Sequence, residues 1–194
     1  MLHGEAIRAL IVGGGRVAAR KAKALLDAGA TVYVVGTKID DELTSVVARH
    51  LTIERRDFSE TDLDKVNVVI AATDDRATNA RVARLATRAN RLVSVADVPG
   101  DGNFISMATH RAGDLVIGVS AGGVPPASTR IRDAIAERFD ARYARAIHVL
   151  RMRRRSLLDS GKRAEWAKAA SELVDERFCA RVESGVLGEA DAWR

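Results

Sequence analysis

The sequence is poor in the residues that form covalent cross-links and stacking surfaces, and it lacks the long apolar runs that form membrane spans. Its 194 residues include one cysteine, Cys179, which excludes an internal disulfide and a cysteine-based metal site. Aromatic residues make up 4% of the chain, which argues against a stacking platform for single-stranded nucleic acid. No apolar run approaches the ~20 residues that cross a bilayer, and the apolar N-terminal stretch lacks the basic leader of a signal peptide. These absences predict a cytoplasmic location.

Positive charge is in excess and unevenly distributed. The formal net charge is +5, and basic residues concentrate between Arg142 and Arg163, where Asp159 is the single acid. Three interpretations stay open: a solvated helix face, a nucleic-acid patch, or a collar for a polyanionic small substrate. The solvated face is the commonest outcome for a charge run, and the lack of a recognisable nucleic-acid motif disfavours the second interpretation.

Strand-like and helix-like segments alternate along the first half of the chain. Apolar, β-branched runs predict strands at 6–12, 31–35, 51–54, 66–72 and 92–96. Helices are predicted between them at 16–28, 40–49 and 76–89. Strands that alternate with helices at this spacing imply right-handed crossovers and a parallel sheet. The sequence therefore predicts an α/β fold.

The pattern changes after Pro99. Strand-like runs are predicted at 103–108 and 115–121, with the polar segment 110–114 between them. A single long helix should follow, because apolar residues recur there at every fourth position: Ile131, Ile135, Phe139, Tyr143 and Ile147. Such a stripe on a basic helix needs a partner surface, for which a second copy of the chain is a candidate. From residue 156 onward the sequence predicts one or two further helices.

The first predicted strand ends in a glycine turn with the spacing of a dinucleotide-binding fingerprint. Gly13 permits a sharp turn, Gly15 lets backbone amides approach a pyrophosphate, and Ala18 lets the following helix pack closely on the strand. The first turn of that helix would present unpaired N–H groups to the phosphates. A strand precedes the motif and a helix follows it, so nucleotide binding is favoured over a purely structural turn.

In a parallel sheet of this kind, ligands bind beyond the carboxyl ends of the strands. The residues expected there, besides the glycine turn, are Thr37, Lys38, Ala72, Thr73 and Asp97. The acidic residue that normally follows the second strand and binds the ribose hydroxyls is missing. Thr37 could bond a ribose and Lys38 could favour a 2′-phosphate, so NAD is expected and NADP stays open.

Asp97 is the strongest candidate for a chemical role, because it follows the fifth strand beside the expected nicotinamide position. The competing interpretation is a turn cap before Pro99. Asp74 and Asp75 are interpreted as helix caps, and His110 as a solvated loop residue. No spacing of histidine, cysteine and acidic residues indicates a metal cage, so no metal ligand is assigned.

Five segments together resemble the precorrin-2 dehydrogenase family, which includes the dehydrogenase/ferrochelatase module of siroheme synthase. They are VGGGRVAARK at 12–21, LDAGATV at 26–32, AATDD at 71–75 with Asn79, VADVP at 95–99 with NFI at 103–105, and GDLVIGVSAGG at 113–123 with Pro126, Arg130, Ile131 and Arg132. They occur in the family's order across about the first 140 residues, whereas the last ~45 match only as a helical tail.

The resemblance implies a Rossmann-type domain at 1–112, a strand-plus-helix dimerisation region at 113–150 and a helical C-terminal domain at 151–194. It also implies that a homodimer oxidises precorrin-2 to sirohydrochlorin with NAD. Iron or cobalt insertion into the product, which some relatives perform, stays open. So does a non-catalytic nucleotide-sensing module, which would use the glycine turn without a carboxylate at the strand end.

The resemblance also assigns roles to residues, with Asp97 as the catalytic aspartate. Together with the fingerprint and the sheet edge, it gives these cofactor contacts: Gly13, Gly15, Arg16, Val17, Ala18, Thr37, Lys38, Ala72 and Thr73. The implied substrate contacts are Asn103, Ser120, Gly122, Gly123 and Arg130. Because the substrate is edged with carboxylates, Arg130, Arg132 and later arginines could pair with it. Ala121 and Gly102 depart from the family pattern, where serine and cysteine are common.

Overall fold

Five parallel strands form the centre of the first part of the chain in the computed structural model, which describes residues 4–46 and 48–188. Their spatial order is β3-β2-β1-β4-β5, with β1 at Arg8–Val12, β2 at Thr31–Val35, β3 at Leu51–Glu54, β4 at Val68–Ala71 and β5 at Leu92–Val95. The predicted parallel α/β sheet is confirmed. The chain reverses its direction of progress across the sheet between β1 and β4, which is where such sheets open a ligand crevice.

Helices cover the two faces of this sheet because side chains alternate between faces along each strand. On one face α1 (Arg16–Asp27) packs through alanines onto Ala9 and Ile11, and Leu43 of the short α2 (Asp41–Thr44) joins the same cluster. On the other face α3 (Arg76–Arg88) packs through Val82 and its neighbours onto Leu10 and Val69. Both faces of the sheet are therefore closed over an apolar core.

Local chemistry sets the helix boundaries. Asp40 caps α2 by accepting a hydrogen bond from Glu42 N at 2.9 Å, and Asp75 caps α3 by accepting one from Thr78 N at 2.9 Å. The helix predicted at 40–49 is wrong in length, because α2 ends at Thr44 and residues near 50 turn directly into β3. Val47, within that predicted helix, and residues 189–194, at the end of the predicted tail, lie outside the described residues.

The second part of the chain begins with an antiparallel hairpin. β6 (Ala108–Ala112) pairs with β7 (Leu115–Val119) around a two-residue turn in which Gly113 has a φ of +57°. The helices α4 (Pro125–Arg138), α5 (Ala141–Asp159), α6 (Arg163–Leu173) and α7 (Phe178–Glu183) follow. Tyr143, Ala146 and Leu150 of α5 form a small core with Val182.

Two predictions for this part are wrong. The strand predicted at 103–108 starts only at Ala108, and it includes His110, which was expected in a polar turn. The signal for the correct register was Gly113, because a glycine at the first position of a two-residue turn is typical of a tight hairpin. His110 Nε2 lies 2.6 Å from the carbonyl oxygen of Phe139, so its ring bonds the backbone at the end of α4 and is not a free, solvated loop side chain.

The single long helix is also wrong, because the chain breaks between Arg138 and Ala141 into α4 and α5. Asp140 adopts an extended conformation there, and its side chain accepts a hydrogen bond from Arg142 N at 2.8 Å, as the cap of a new helix. The apolar stripe is consequently shared by two helices. Tyr143 is buried, whereas Ile131 is 47% exposed.

The contacts divide the chain into two units, Met1–Ser106 and Met107–Arg194. The first unit contains the parallel sheet with α1 to α3, and the second contains the hairpin with α4 to α7. A finer division at residue 150, between a dimerisation region and a C-terminal domain, stays a prediction.

Candidate functional site

The loop after β1 lies so close to its neighbours that side chains are excluded from it. Gly13 has a φ of +119°, and a Cβ atom there would collide with the carbonyl group of Ala72. A Cβ atom on Gly14 would collide with the carbonyl oxygen of Lys38. Gly13 N donates a hydrogen bond to Val35 O at 2.8 Å, which fixes the turn to the end of β2. Bare backbone therefore forms the floor between the loops that follow β2 and β4.

Gly15 differs from these two glycines because it faces open space. Its backbone is extended, and a Cβ atom there would meet no other atom within 4 Å. It is the N-terminal cap residue of α1, so the N–H groups of Arg16, Val17 and Ala18 have no acceptor within the helix. An anion placed against Gly15 would meet these N–H groups and the positive end of the helix dipole.

A cleft of about 510 Å³ opens beside this turn. It is lined by the ends of β1 to β4 and the loops that follow, at 12–15, 35–40, 56–58, 72–75 and Thr78. Six of the predicted cofactor contacts line it, namely Gly13, Gly15, Thr37, Lys38, Ala72 and Thr73. Arg16 and Val17 are exposed on the first turn of α1, whereas Ala18 is buried against the sheet. The volume and the donor set suit a dinucleotide.

The charge around the cleft is mixed. Among the lining residues Asp40 and Asp75 are occupied as helix caps, and hydrogen bonds from Thr78 and Ala77 lower the pKa of Asp75. The side chain of Arg56 bonds both oxygens of Asp62, at 2.7 and 2.9 Å, so it is committed to the protein. Lys38 is exposed and has no recorded ion pair within the part of the chain that the structure describes.

Asp97 lies at the same edge of the sheet, two residues beyond the end of β5, and it is exposed. One of its carboxylate oxygens, Oδ1, accepts a hydrogen bond from Asn79 Nδ2 at 2.9 Å. Asn79 lies on α3, is 1% exposed and also bonds Thr73, which lines the cleft. The predicted site residues Asp97 and Thr73 are thus joined through a third side chain that was not predicted as part of the site. The sequence does carry a signal for Asn79, because a polar residue on the apolar face of a predicted helix is unusual and indicates a buried hydrogen-bonding site.

Asn103, predicted as a substrate contact, bonds the backbone instead. Its Oδ1 accepts from Val93 N at 2.7 Å, and its Nδ2 donates to Arg91 O at 2.9 Å. Asn103 N also donates to Val93 O at 2.9 Å, so the chain after Gly102 is held beside β5. A direct substrate contact by Asn103 stays a prediction.

The remaining predicted substrate contacts belong to the second unit, on the loop before α4 and on α4 itself. Gly122 and Gly123 have φ values of +55° and +83°, and the loop is closed by a hydrogen bond from Val124 N to Ala121 O at 2.9 Å. Ser120 and Arg130 are exposed. This exposure leaves both side chains accessible, and their contact with substrate stays a prediction.

The basic segment is partly neutralised within the second unit. Arg142 pairs with Asp140, Arg151 pairs with Asp114 at 2.6 Å, and Lys162 pairs with Glu165. Arg145, Arg153 and Arg154 have no recorded ion pair in the described ranges. Over residues 4–46 and 48–188 no group of three histidine, cysteine or acidic side chains is placed to hold a metal ion. No helix among those residues is long and apolar enough to cross a membrane.

Comparison with known proteins finds one matching family model, described as "Putative NAD(P)-binding", over residues 1–108. Siroheme synthases from Nitrosococcus oceani and Methylococcus capsulatus are 33% and 36% identical to the chain, each over 94% of this chain and 41% of the relative. The chain thus spans about two fifths of the length of these curated relatives.

A solved structure named "SirC, precorrin-2 dehydrogenase" matches with a TM-score of 0.73 and 26% identity, over 93% of this chain and 90% of that one. This likeness extends through both units, beyond the range of the family model. The predicted resemblance to precorrin-2 dehydrogenases is confirmed, and the chain belongs to the NAD(P)-binding family whose model covers its parallel sheet.

Proposed function

We propose that this chain oxidises precorrin-2 to sirohydrochlorin with NAD. The observation that carries the proposal is the exposed carboxylate of Asp97 at the edge of the sheet where the glycine turn opens the cleft. The likeness to the SirC structure, across nine tenths of both chains, supports the same reaction. A non-catalytic nucleotide-sensing module has no support among the relatives.

The residues of the cleft fit the cofactor. Gly13 and Gly14 form a floor that any side chain would fill, and the free N–H groups of Arg16 and Val17 suit the pyrophosphate. Thr37 and the backbone around it would hold the ribose. When bound, NAD supplies the acceptor for the hydride that the substrate gives up.

The protein must then remove a proton from the substrate. Asp97 is the proposed base, and Oδ2 is the accepting atom because Oδ1 is held by Asn79. Exposed arginines, including Arg130, would pair with the carboxylates at the rim of the tetrapyrrole. Each precorrin-2 molecule would thus lose two hydrogens, one C–H hydrogen as a hydride to NAD and one proton to Asp97.

A turnover assay tests the proposal. Wild-type protein incubated with precorrin-2 and NAD should produce NADH and the absorption spectrum of sirohydrochlorin in equal amounts. Asp97→Ala should lower kcat by roughly 10²–10⁴-fold while the Kd for NAD changes less than about threefold, because general-base catalysis is lost and the cleft is left intact. Parallel assays with NADP measure cofactor preference.

The matched control is Asp101→Ala, which removes an exposed carboxylate four residues further along the same loop. It should leave kcat unchanged. Tight NAD binding by wild-type protein without any NADH formation would contradict the enzyme assignment and favour a sensing module. Wild-type turnover by Asp97→Ala would remove Asp97 from the mechanism.

We also propose that the chain is a homodimer and that it acts in the cytoplasm. The second unit supports the dimer, because α4 has no buried residue and β7 leaves its apolar side chains half-exposed. Ile131→Asp should weaken the dimer at least about tenfold in sedimentation equilibrium, since a buried charge is costly at an apolar contact. Val174→Asp, at another exposed aliphatic residue, is the control. A wild-type monomer at micromolar concentration would contradict the dimer.

A further inference from the structure

Asn79 occupies a place where an amide is costly unless its hydrogen bonds are made. It is 1% exposed on the face of α3 that packs against the sheet, among apolar neighbours such as Val82 and Ala83. Burying an amide without partners costs about 1–3 kcal/mol in proteins. An apolar side chain would fill this helix face at no such cost, so the hydrogen bonds of Asn79 need an explanation.

The side chain of Asn79 makes four hydrogen bonds. Its Oδ1 accepts from Thr73 N at 3.0 Å and from Thr73 Oγ1 at 2.8 Å. Its Nδ2 donates to Thr73 O at 3.0 Å and to Asp97 Oδ1 at 2.9 Å. These bonds use the two acceptor and the two donor sites of the amide. The amide that donates to the Asp97 carboxylate is therefore itself held in place by three hydrogen bonds to Thr73.

The orientation of the amide follows from its partners. Thr73 N is always a donor, so the atom facing it must be the oxygen of Asn79. The amino group then faces Thr73 O and Asp97, which are both acceptors. Reversing the amide would place its amino group against Thr73 N, donor against donor, and its single oxygen against two acceptors, Thr73 O and Asp97 Oδ1. Asn79 therefore has one favourable amide orientation, in which Nδ2 donates to Asp97 Oδ1.

We infer that Asn79 is a positioning residue that fixes the Asp97 carboxylate relative to the cleft wall at Thr73. This inference rests on the proposed function, because it needs Asp97 to take part in the reaction. Asp97 is exposed, and the hydrogen bond from a buried amide to Oδ1 limits the rotation of its carboxylate, while Oδ2 accepts no hydrogen bond from the described residues. The three bonds from Asn79 to Thr73 tie the same amide to the loop that lines the cofactor cleft.

Asn79→Asp is the informative substitution, because it keeps the size and the two acceptor bonds to Thr73. It replaces the amino group, which donates to both Thr73 O and Asp97 Oδ1, with a second carboxylate oxygen, so Asp97 is repelled instead of held. We expect kcat for precorrin-2 oxidation to fall about 10–100-fold, since misplacing a reacting group by an ångström has an effect of that order. The KM for NAD should change less than about threefold.

A matched control is available in the same unit. Asn67 also bonds backbone through both ends of its amide, accepting from Arg8 N at 3.0 Å and donating to Ala6 O at 2.8 Å. It lies immediately before β4, at the amino ends of the parallel strands, whereas the cleft lies at their carboxyl ends. Asn67→Asp should lower thermal stability without changing kcat. If Asn79→Asp behaves in the same way, Asn79 is merely structural and the inference is wrong.

A double-mutant cycle separates action through Asp97 from action elsewhere. In single-turnover measurements Asn79→Asp should slow the reaction less than about twofold when it is added to Asp97→Ala, because the group it positions is already gone. Equal effects of Asn79→Asp with and without Asp97 would overturn the inference.

Nuclear magnetic resonance supplies a readout that does not depend on turnover. The two side-chain amide protons of Asn79 should resist exchange in wild-type protein, and one of them should shift and exchange faster in Asp97→Ala. Unchanged amide signals would show that Asn79 does not hold Asp97. Failure of wild-type protein to oxidise precorrin-2, with the expected amide shift, would instead contradict the proposed function alone.

Discussion

The two units of the chain differ in how completely they bury their apolar residues. Among the described residues, 27 apolar side chains are buried in the first unit, on both faces of its sheet, and six are buried in the second. Five of those six belong to a single cluster around α5. The first unit therefore closes its own core, whereas in the second unit α4 has no buried residue and the hairpin has only Ala112.

This difference is consistent with a cofactor cleft in the first unit, as we propose. Its floor requires backbone groups that approach each other more closely than a Cβ atom permits, as Gly13 and Gly14 do. A tightly packed core has few alternative arrangements and can hold such an approach. The second unit instead offers exposed apolar and basic surface, which suits recognition by another molecule or another copy of the chain.

The largest expected effect comes from Gly13→Ala, which attacks the packing of the first unit directly. The new Cβ atom would collide with Ala72, and alanine is strained at a φ of +119°. We expect a loss of about 2–4 kcal/mol in the free energy of unfolding and NAD binding weakened at least about tenfold. Urea titration and isothermal calorimetry measure the two effects. Wild-type stability in this variant would show that the first unit is less rigid than its packing indicates.

Gly15→Ala is the matched variant and should separate binding from folding. The added methyl group meets no protein atom within 4 Å and the backbone is unstrained, so stability should change less than about 0.5 kcal/mol. The methyl group would, however, occupy the space where the pyrophosphate approaches the amides, which should raise the Kd for NAD about tenfold. Unchanged affinity would place the pyrophosphate elsewhere.

Asp62→Asn tests an ion pair in the first unit. The Asp62 side chain is 11% exposed; burial alone would raise its pKa, but hydrogen bonds from Arg56 and Ser59 N outweigh burial and lower it. We expect a loss of about 1 kcal/mol at neutral pH, because Arg56 is 39% exposed and partly screened. A lowered pKa gives stability above about pH 4 that is lost as the pH falls. Wild-type and variant urea midpoints should therefore converge in acid.

Glu183→Gln is the corresponding change in the second unit and should have the smaller effect. Glu183 accepts hydrogen bonds from Arg138 Nε at 2.6 Å and from Tyr143 Oη at 2.8 Å, and these bonds lower its pKa. Arg138 is 60% exposed, so solvent screens the pair, and glutamine can still accept from Tyr143. The loss of stability should be under half that of Asp62→Asn. A larger loss would mean that α5 and α7 depend on this contact more than on apolar packing.

The parallel sheet could be predicted from the sequence because most of its strands are largely apolar runs, which alternate with segments of helical composition. The glycine turn and the loops carrying Thr37 and Thr73 could also be placed, since parallel strands bring their carboxyl ends to one edge. The break at Asp140 was missed because the apolar residues on either side keep the spacing of one helix. Phe139 and Tyr143 do meet, with ring centroids 4.7 Å apart, although they flank a break.

The role of Asn79 was harder to predict, because it depends on which side chains meet in space. Its nearest partners are six and eighteen residues away in the sequence, at Thr73 and Asp97. Each bond joins residues from different elements, so the side-chain spacing within one helix or strand does not reveal it. The pairing exists because α3 follows β4 and lies against β5. A polar residue on the apolar face of a helix indicates a buried hydrogen-bonding site, but it does not indicate which residues are its partners.

If the cofactor binds against Gly15 as proposed, the alanine face of α1 makes its affinity depend on a residue outside the cleft. Ala22 is fully buried against the sheet and lies seven residues after Gly15, or about 10 Å along the helix axis. A larger side chain at Ala22 would tilt α1 away from β1 and carry its first-turn amides with it. Natural variation at this one core position could thus retune how strongly different members of the family hold their nucleotide, with every cleft residue unchanged.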